Sequence, residues 1–346
     1  MPRLSQWTRD GKRLVTGNDK GELTLWLGDS FSFDSIFVAH SMPGATCQVR
    51  AVTSNRSGDI LVSGDDRGQL KYWTASFVAH NHIDQFSQSV SSIDFSAGDR
   101  TFVVGRGDGA MRLWDFLGSR VLAEYSGHDS NVKRVRWHPH STLWVSASDK
   151  KVRLWDPRVP ANSACVGILQ TGMRPMTDVS WSANGWHLAT TGEDSMVTVF
   201  DARVLKPVWQ VNVSDYKHAT TVAWHPYQER VLATGHFGGA ISYFTVGEDT
   251  PAARVELAHD ECLTGLEWNP AGHALASSSM DAFAKIWVRT RPGDTKQYTY
   301  SGTSRTRRMG RSADGGSQFS GRDDRRGGFR GGHRGGHRGG FRGGHR

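Results

Sequence analysis

The sequence predicts an all-β protein, a seven-bladed β-propeller followed by a disordered C-terminal tail rich in arginine and glycine. Seven short apolar runs each end in an aromatic residue, at intervals of 47, 41, 41, 45, 44 and 43 residues. These aromatic residues are Trp26, Trp73, Trp114, Trp155, Phe200, Phe244 and Trp287. A period in this range, ending in Trp-Asp or a near variant, is typical of WD repeats, each of which supplies one four-stranded blade. Because no blade can bury its faces alone, residues 1–300 are predicted to form one domain.

Each repeat contains three recognisable strands separated by turn residues. In the fourth repeat they read VKRVRWHP, TLWVSAS and VRLWD, with a turn at residues 149–151 before the last. Apolar residues alternate with polar or small ones, as expected for half-buried strands. Turns such as Asp-Lys-Gly and Gly-Asp-Gly favour tight hairpins between the second and third strands. The fourth strand of each blade is expected to end near a His that precedes the next repeat.

Four polar residues of a repeat can form a buried, hydrogen-bonded chain. They are this His, a Ser or Thr of the second strand, the turn Asp and the third-strand Trp, and in such a chain every buried polar group has a partner. Two repeats contain all four residues: His128, Ser146, Asp149 and Trp155 in the fourth, and His259, Ser277, Asp281 and Trp287 in the seventh. The fifth repeat lacks the His, and the sixth has Phe237 in place of the Asp. Those two blades are therefore predicted to be held more by packing than by polar networks.

The outer strand of the last blade has no evident source in the repeats. The chain begins directly on a first strand at Leu4. Either residues 295–300 supply the missing strand, or the sequence lacks its natural N-terminus, which is the interpretation we favour. An open blade edge would promote aggregation, so some closure is expected.

The tail, residues 301–346, carries most of the chain's charge. It contains twelve Arg and three Asp, a net of +9 against +8 for the whole chain, which leaves −1 for residues 1–300. Arg binds phosphates and stacks on bases, Phe adds stacking faces, and Gly lets the chain follow an irregular strand. The predicted RNA contacts are Arg326, Phe329, Arg330, Arg334, Arg338, Phe341, Arg342 and Arg346. A solvated linker is the alternative, and no sequence specificity is expected of backbone charge and stacking.

Several classes of function find no support in the sequence. Cys47, Cys165 and Cys262 lie far apart and outside any zinc-binding spacing, so no metal site or disulfide framework is predicted. No run of 18 apolar residues and no signal-like N-terminus occurs. No hydrolase, metalloprotease or P-loop motif is present, and His138-Pro139 and His225-Pro226 recur at corresponding positions as structural turns. We predict no enzyme activity, no cofactor and no small-molecule substrate.

Several longer strings resemble, in order, the WD-repeat subunit of the cleavage and polyadenylation specificity factor. They span residues 4–294 and include QWTRDGKRLVTG at 6–17, FSFDSIFVAH at 31–40, LKYW at 70–73, MRLWDFL at 111–117, GHDSNVKRVRWHP at 127–139, TVAWHP at 221–226 and IWVRTRPGD at 286–294. The Asp-Phe-Leu after the third blade and the Arg-Pro-Gly-Asp after the seventh are more diagnostic than Trp-Asp, which all such propellers share.

The resemblance implies a non-catalytic subunit of the nuclear machinery that forms mRNA 3′ ends. Its implied partners are a large scaffold propeller subunit, a zinc-finger subunit and the pre-mRNA, whose polyadenylation signal it helps to recognise. Phe86 is the nearest match to an aromatic residue that stacks on RNA in the family, although packing at a strand edge is an equal alternative for it. The family's basic segment before the first blade has no counterpart in the sequence before Leu4. A propeller adaptor in ribosome biogenesis, with a tail that binds RNA non-specifically, is the alternative function.

Overall fold

Seven antiparallel sheets, one for each blade, and one short two-stranded ribbon make up the strands of the described part of the chain. The computed structural model describes residues 2–42, 44–74, 79–85, 88–172, 174–215 and 217–289. Six sheets have four strands, and the seventh has three among the described residues. The first strands of the sheets contact one another in sequence, and the first strand of the seventh sheet contacts that of the first. The predicted seven-bladed propeller is therefore confirmed.

The strands of each blade follow one another in the chain from the channel outwards. Blades 1 and 2 comprise β1 Pro2–Trp7, β2 Arg13–Asn18, β3 Glu22–Leu27 and β4 Phe33–Val38, then, after the short ribbon of β5 Ser41–Met42 and β6 Ala45–Thr46, β7 Val49–Ser54, β8 Ile60–Asp65, β9 Gln69–Thr74 and β10 Ala79–Gln85. Blades 3 and 4 comprise β11 Val90–Phe95, β12 Thr101–Arg106, β13 Met111–Asp115, β14 Arg120–Tyr125, β15 Arg134–Trp137, β16 Trp144–Ser148, β17 Lys151–Trp155 and β18 Cys165–Gln170. Blades 5 to 7 comprise β19 Met176–Trp181, β20 His187–Gly192, β21 Met196–Asp201, β22 Lys206–Asn212, β23 Ala219–Trp224, β24 Val231–His236, β25 Ile241–Thr245, β26 Ala253–Val255, β27 Leu263–Trp268, β28 Ala274–Ser279 and β29 Ala284–Val288.

The only helix in these described ranges is a single 3-10 turn, Ala161–Ser163. No helix among the described residues is long and apolar enough to cross a membrane.

The seven periodic aromatic residues all lie near the ends of third strands, as the sequence predicts. Each pairs across the sheet with a residue near the start of the second strand, for example Trp73 with Leu61 and Trp155 with Trp144. Six of the seven are buried, and Trp287 is partly buried. The outer strands alternate instead, so that β4 exposes Phe33, Ile36 and Val38.

The apolar core lies between neighbouring blades. One cluster joins Leu70 and Tyr72 of blade 2 to Phe95, Phe102 and Trp114 of blade 3. Corresponding clusters fill the other gaps, and the cluster between blades 7 and 1 contains Trp7, Leu14, Trp26, Ala274 and Ala276. Each blade thus depends on its neighbours for burial of its faces.

The ring closes by packing of β1 against β27 and β28. Residues 295–300, one of the two predicted sources of an outer strand, lie outside the described residues. The same holds for the domain boundary at residue 300 and for the tail, so these stay predictions.

Candidate functional site

The residues predicted to contact RNA are not among those the structure describes. Phe86 falls between Gln85 and Gln88, in the connection from β10 to β11. The eight tail residues all follow Arg289, the last one described: Arg326, Phe329, Arg330, Arg334, Arg338, Phe341, Arg342 and Arg346. The sites that the structure does describe are therefore those of the propeller itself, namely the polar networks of its blades and its central channel.

The seventh blade contains the polar chain in full. Trp287 Nε1 donates to Ser277 Oγ at 2.9 Å, and Ser277 Oγ lies 2.7 Å from His259 Nε2. His259 Nδ1 lies 2.7 Å from Asp281 Oδ2. Burial lowers the pKa of His259, while the Asp281 carboxylate opposes that shift. A neutral ring that donates from Nδ1 to the carboxylate and accepts at Nε2 satisfies every member of the chain.

The fourth blade differs from the prediction at Asp149. His128 Nε2 lies 2.6 Å from Ser146 Oγ, which accepts a bond from Trp155 Nε1 at 2.8 Å. The Asp149 carboxylate instead accepts from the Ser130 hydroxyl, and no hydrogen bond joins it to His128. Only residues 149 and 150 separate β16 from β17, and Asp149 has a positive φ of 49°. This short turn holds the carboxylate away from the ring, and burial then lowers the pKa of His128 to about 4.

A further polar chain, in the second blade, was missed from the sequence. Trp73 Nε1 donates to Ser63 Oγ at 2.7 Å, and His40 Nε2 lies 2.7 Å from the same oxygen. His40 Nδ1 lies 3.1 Å from Asp65 Oδ2, and both side chains are fully buried. The ribbon of β5 and β6 lengthens the connection after His40, so that 23 residues separate the His from the Ser, against 18 in the seventh blade. The sequence does contain the signal for this chain, because His40, Ser63, Asp65 and Trp73 follow one another in the expected order.

The sixth blade also contains a buried polar cluster, although packing was predicted to hold this blade more than polar networks do. His236, from the second strand, has its Nε2 3.0 Å from Ser242 Oγ and 3.1 Å from Thr234 Oγ1. All three side chains are fully buried. Burial lowers the pKa of His236 to about 4, so the ring is neutral at pH 7. The residue just before Phe237 thus supplies a polar connection that the repeat pattern does not indicate.

The two predicted His-Pro turns connect adjacent blades. His138 Nε2 lies 3.0 Å from Gly185 O, and its ring packs on Trp181 at 4.8 Å. His225 Nε2 lies 3.2 Å from Gly272 O, and its ring packs on Trp268 at 4.7 Å. In each case Nδ1 accepts a backbone N–H of the same turn, from His140 in one and from Tyr227 and Gln228 in the other. Both ring nitrogens of each His are therefore used in hydrogen-bond contacts within the turn and with the next blade.

Polar side chains on several first strands hydrogen-bond to the first strand of the next blade. The inner strand of a blade has an unpaired edge, whose N–H groups need acceptors. The acceptors and donors, with their distances, are Ser92 Oγ and Val135 N (3.1 Å), Asp94 Oδ2 and Trp137 N (2.7 Å), Asp178 Oδ2 and Val222 N (3.2 Å), Ser180 Oγ and Trp224 N (3.1 Å), and Glu267 Oε2 and Trp7 N (2.8 Å). These bonds join blades 3 to 4, 5 to 6 and 7 to 1.

Two carboxylates near the channel have opposite pKa shifts. Burial alone would raise the pKa of Asp178, but Arg134, whose Nε lies 2.6 Å away, lowers it. Burial raises the pKa of Glu267 to about 7, with Arg136 and the Trp7 N–H opposing that shift. Among the described residues no group of three His, Cys, Asp or Glu side chains could hold a metal ion. The titratable groups described above serve the joints between and within blades.

Comparisons with known proteins agree with this architecture. The WD domain, G-beta repeat model matches residues 35–74, 75–115, 119–156 and 253–288. A chain in the crystal structure of the mitotic checkpoint complex superposes with a TM-score of 0.74 over 84% of this chain and 87% of that one. Their sequence identity is 19%, so this likeness concerns the fold alone.

The curated relatives extend over most of the chain. Polyadenylation factor subunit 2 of Gibberella zeae is 31% identical over 320 residues, which cover 85% of this chain and 51% of that protein. The protein of the same name from Candida albicans is 31% identical over 317 residues, covering 84% and 57%. The chain thus spans about half the length of these relatives. The matched repeats and the seven-bladed disc identify the chain as a member of the WD-repeat family, related to the polyadenylation factor subunit 2 proteins of fungi.

Proposed function

We propose that this chain is a non-catalytic scaffold and RNA-contacting subunit of the pre-mRNA cleavage and polyadenylation complex, acting in the nucleus. The observation that carries the proposal is the similarity to polyadenylation factor subunit 2, which extends over 84–85% of the chain. A propeller with this similarity throughout its blades is expected to serve, as the name of these relatives says of them, as a subunit of a polyadenylation factor.

The geometry of the disc suits a scaffold. Side chains on the first strands and the His-Pro turns connect adjacent blades, so the described blades form a rigid frame. The polar chain of the seventh blade, which resembles a catalytic triad in composition, is buried, and each of its members is used in a hydrogen bond within the blade. A large scaffold propeller subunit and a zinc-finger subunit are the proposed protein partners.

Purification of the tagged full-length chain from nuclei tests its membership of the complex. We expect the polyadenylation endonuclease and the scaffold subunit to co-purify in stoichiometric amounts. Co-purification of pre-ribosomal particles without these subunits would instead indicate the adaptor role in ribosome biogenesis, and would refute the proposal.

The tail and Phe86 are proposed to supply the RNA contacts. Deletion of residues 321–346 removes eight of the twelve tail Arg residues. For single-stranded RNA, each lost phosphate contact should lower the slope of log K against log salt by about 0.7. We expect weaker RNA binding with a flatter salt dependence, measured by fluorescence anisotropy at several salt concentrations. The thermal unfolding temperature serves as the control and should not change, and an unchanged salt slope would exclude the tail as an RNA contact.

A further inference from the structure

A cavity at one end of the central channel has cationic walls without acidic residues. Its volume is about 340 Å³, within the range of small-molecule sites. It lies where the first strands begin, and residues from all seven blades line it. Arg50, Lys133 and Arg134 contribute positive charge, while none of the lining residues is Asp or Glu.

Two of the three cations have no carboxylate partner among the described residues. Arg134 donates two hydrogen bonds to the Asp178 carboxylate, from Nε to Oδ1 at 2.6 Å and from a terminal nitrogen to Oδ2 at 3.3 Å. Arg50 and Lys133 are exposed at the cavity and form no such pair within the described ranges. Residues 1–300 together carry a charge of −1, so this concentration of positive charge is local. Cationic groups in a concave, low-dielectric wall concentrate anions from solution.

Buried polar atoms in the same wall also lack partners. Ser91 Oγ and Asn131 Oδ1 are both inaccessible to solvent and form no hydrogen bond among the described residues. Buried polar atoms in native proteins are nearly always hydrogen-bonded. Ser91 is only partly buried as a residue, so rotation of its side chain would bring the hydroxyl to the cavity, where an oxygen atom of a ligand would accept its hydrogen bond.

A smaller space adjoins the cavity, and the two share Leu4, Arg50, Arg134 and Thr264 in their walls. The smaller space has a volume of about 30 Å³ and is also lined by Gln6, Arg136 and Glu267. That volume admits water and nothing larger. A ligand as large as the one proposed below would therefore occupy the wider space and not this one.

We infer that this cavity, the channel-mouth site, binds a compact soluble ligand that carries two or more phosphate groups, such as an inositol polyphosphate. The Arg50 guanidinium and the Lys133 ammonium bind phosphate oxygens, and the Ser91 hydroxyl, once its side chain has rotated towards the cavity, donates to a third oxygen. Clustered phosphates match the separate cations better than one carboxylate does, because each phosphate offers several acceptor oxygens. The inference does not depend on the proposed role in polyadenylation.

Calorimetric titration of the full chain with inositol hexakisphosphate, at physiological salt, tests this site. We expect a saturable component of one ligand per chain, which the Arg50→Gln/Lys133→Gln variant weakens by roughly tenfold or more. The matched control is Lys20→Gln, which removes an exposed cation from the β2–β3 hairpin and should leave that component unchanged. The Arg50→Lys variant keeps the charge and should retain most of the affinity. All variants keep the tail, so non-specific binding of the ligand to the tail contributes equally to each of them and cancels in the comparison.

Two results would overturn the inference. One is equal affinity of the double variant and the unmodified chain for inositol hexakisphosphate. The other is an equal loss of affinity for a short single-stranded RNA in the double variant, which would make the channel mouth part of an RNA path. If the double variant fails to fold, Lys133→Gln alone, which changes an exposed side chain, decides between these outcomes.

Discussion

The Trp155 side chain contacts both polar and apolar neighbours. Its indole N–H donates to Ser146 Oγ at 2.8 Å, its ring stacks on Trp144 at 5.4 Å, and Tyr125 packs edge-on at 5.6 Å. The side chain is 1% exposed. The polar chain fixes the orientation of the indole, and burial of the ring supplies most of its stabilising free energy.

Replacing Trp155 separates these two contributions. Trp155→Ala should lower the free energy of unfolding by about 3–5 kcal/mol, because it leaves a cavity beside Trp144. Trp155→Phe keeps an aromatic ring and loses mainly the bond to Ser146, so about 1–2 kcal/mol is expected. Urea unfolding followed by fluorescence measures both values. Equal losses in the two variants would contradict the view that packing dominates at this position.

The members of the polar chains could be predicted only where the turn length is regular. His259, Ser277, Asp281 and Trp287 followed from the repeat pattern alone. Asp149 did not, because a two-residue turn with a positive φ redirects its side chain to Ser130. Such a conformation depends on how the two strands pair, and the residue types do not show it.

The turns between first and second strands form a recurring joint between blades. His138 and His225 each contact a glycine carbonyl of the next blade. In the seventh blade the Asn269 amide donates to Gly11 O at 3.3 Å in the same way. Their recurrence identified the His-Pro pairs as structural turns from the sequence. Their bonds to the next blade were not predictable, because they join residues 47 positions apart in different repeats. Recurrence indicates a shared role, and the fold supplies the partner.

This joint should make stability depend on pH. Burial lowers the pKa of His225 below its usual 6.5, so the unfolded chain takes up the proton first as the pH falls. The contribution of His225 is therefore present at neutral pH and is lost below about pH 6.5. His225→Ala should cost about 1–2 kcal/mol at pH 7.5. His225→Asn, chosen to match Asn269 of the seventh blade, should cost less and should lose less stability between pH 7.5 and 5, as measured by urea unfolding. An identical pH dependence in the Asn variant would show that His225 does not titrate as described.

For the whole molecule, closure of the ring depends on contacts between the two ends of the propeller. Glu267 of blade 7 accepts Trp7 N at 2.8 Å and Gln6 Nε2 at 2.8 Å, across about 260 residues of sequence. The repeat period predicted seven units and hence a ring. It could not predict this seam, because Glu267 appears in the sequence only as a polar residue of an alternating strand. Closure joins the last blade to the first, so disruption of this seam should affect the entire disc.

Glu267 is expected to weaken the seam when it ionises. Burial raises its pKa to about 7 from 4.5, so the folded chain retains the proton between those values and its stability falls as the pH rises through 7. Glu267→Gln is neutral at every pH and keeps an oxygen for Trp7 N–H, while the Gln6 amide can turn to accept from the new amide. The variant should therefore be more stable than the unmodified chain at pH 8, by on the order of 1–2 kcal/mol, and about equal at pH 5. Urea unfolding at both pH values measures this difference, and Glu267→Ala, which leaves Trp7 N–H without an acceptor, should be destabilised at both. A Gln variant less stable than the unmodified chain at pH 8 would mean that the ionised carboxylate, held by Arg134 and Arg136, stabilises the seam.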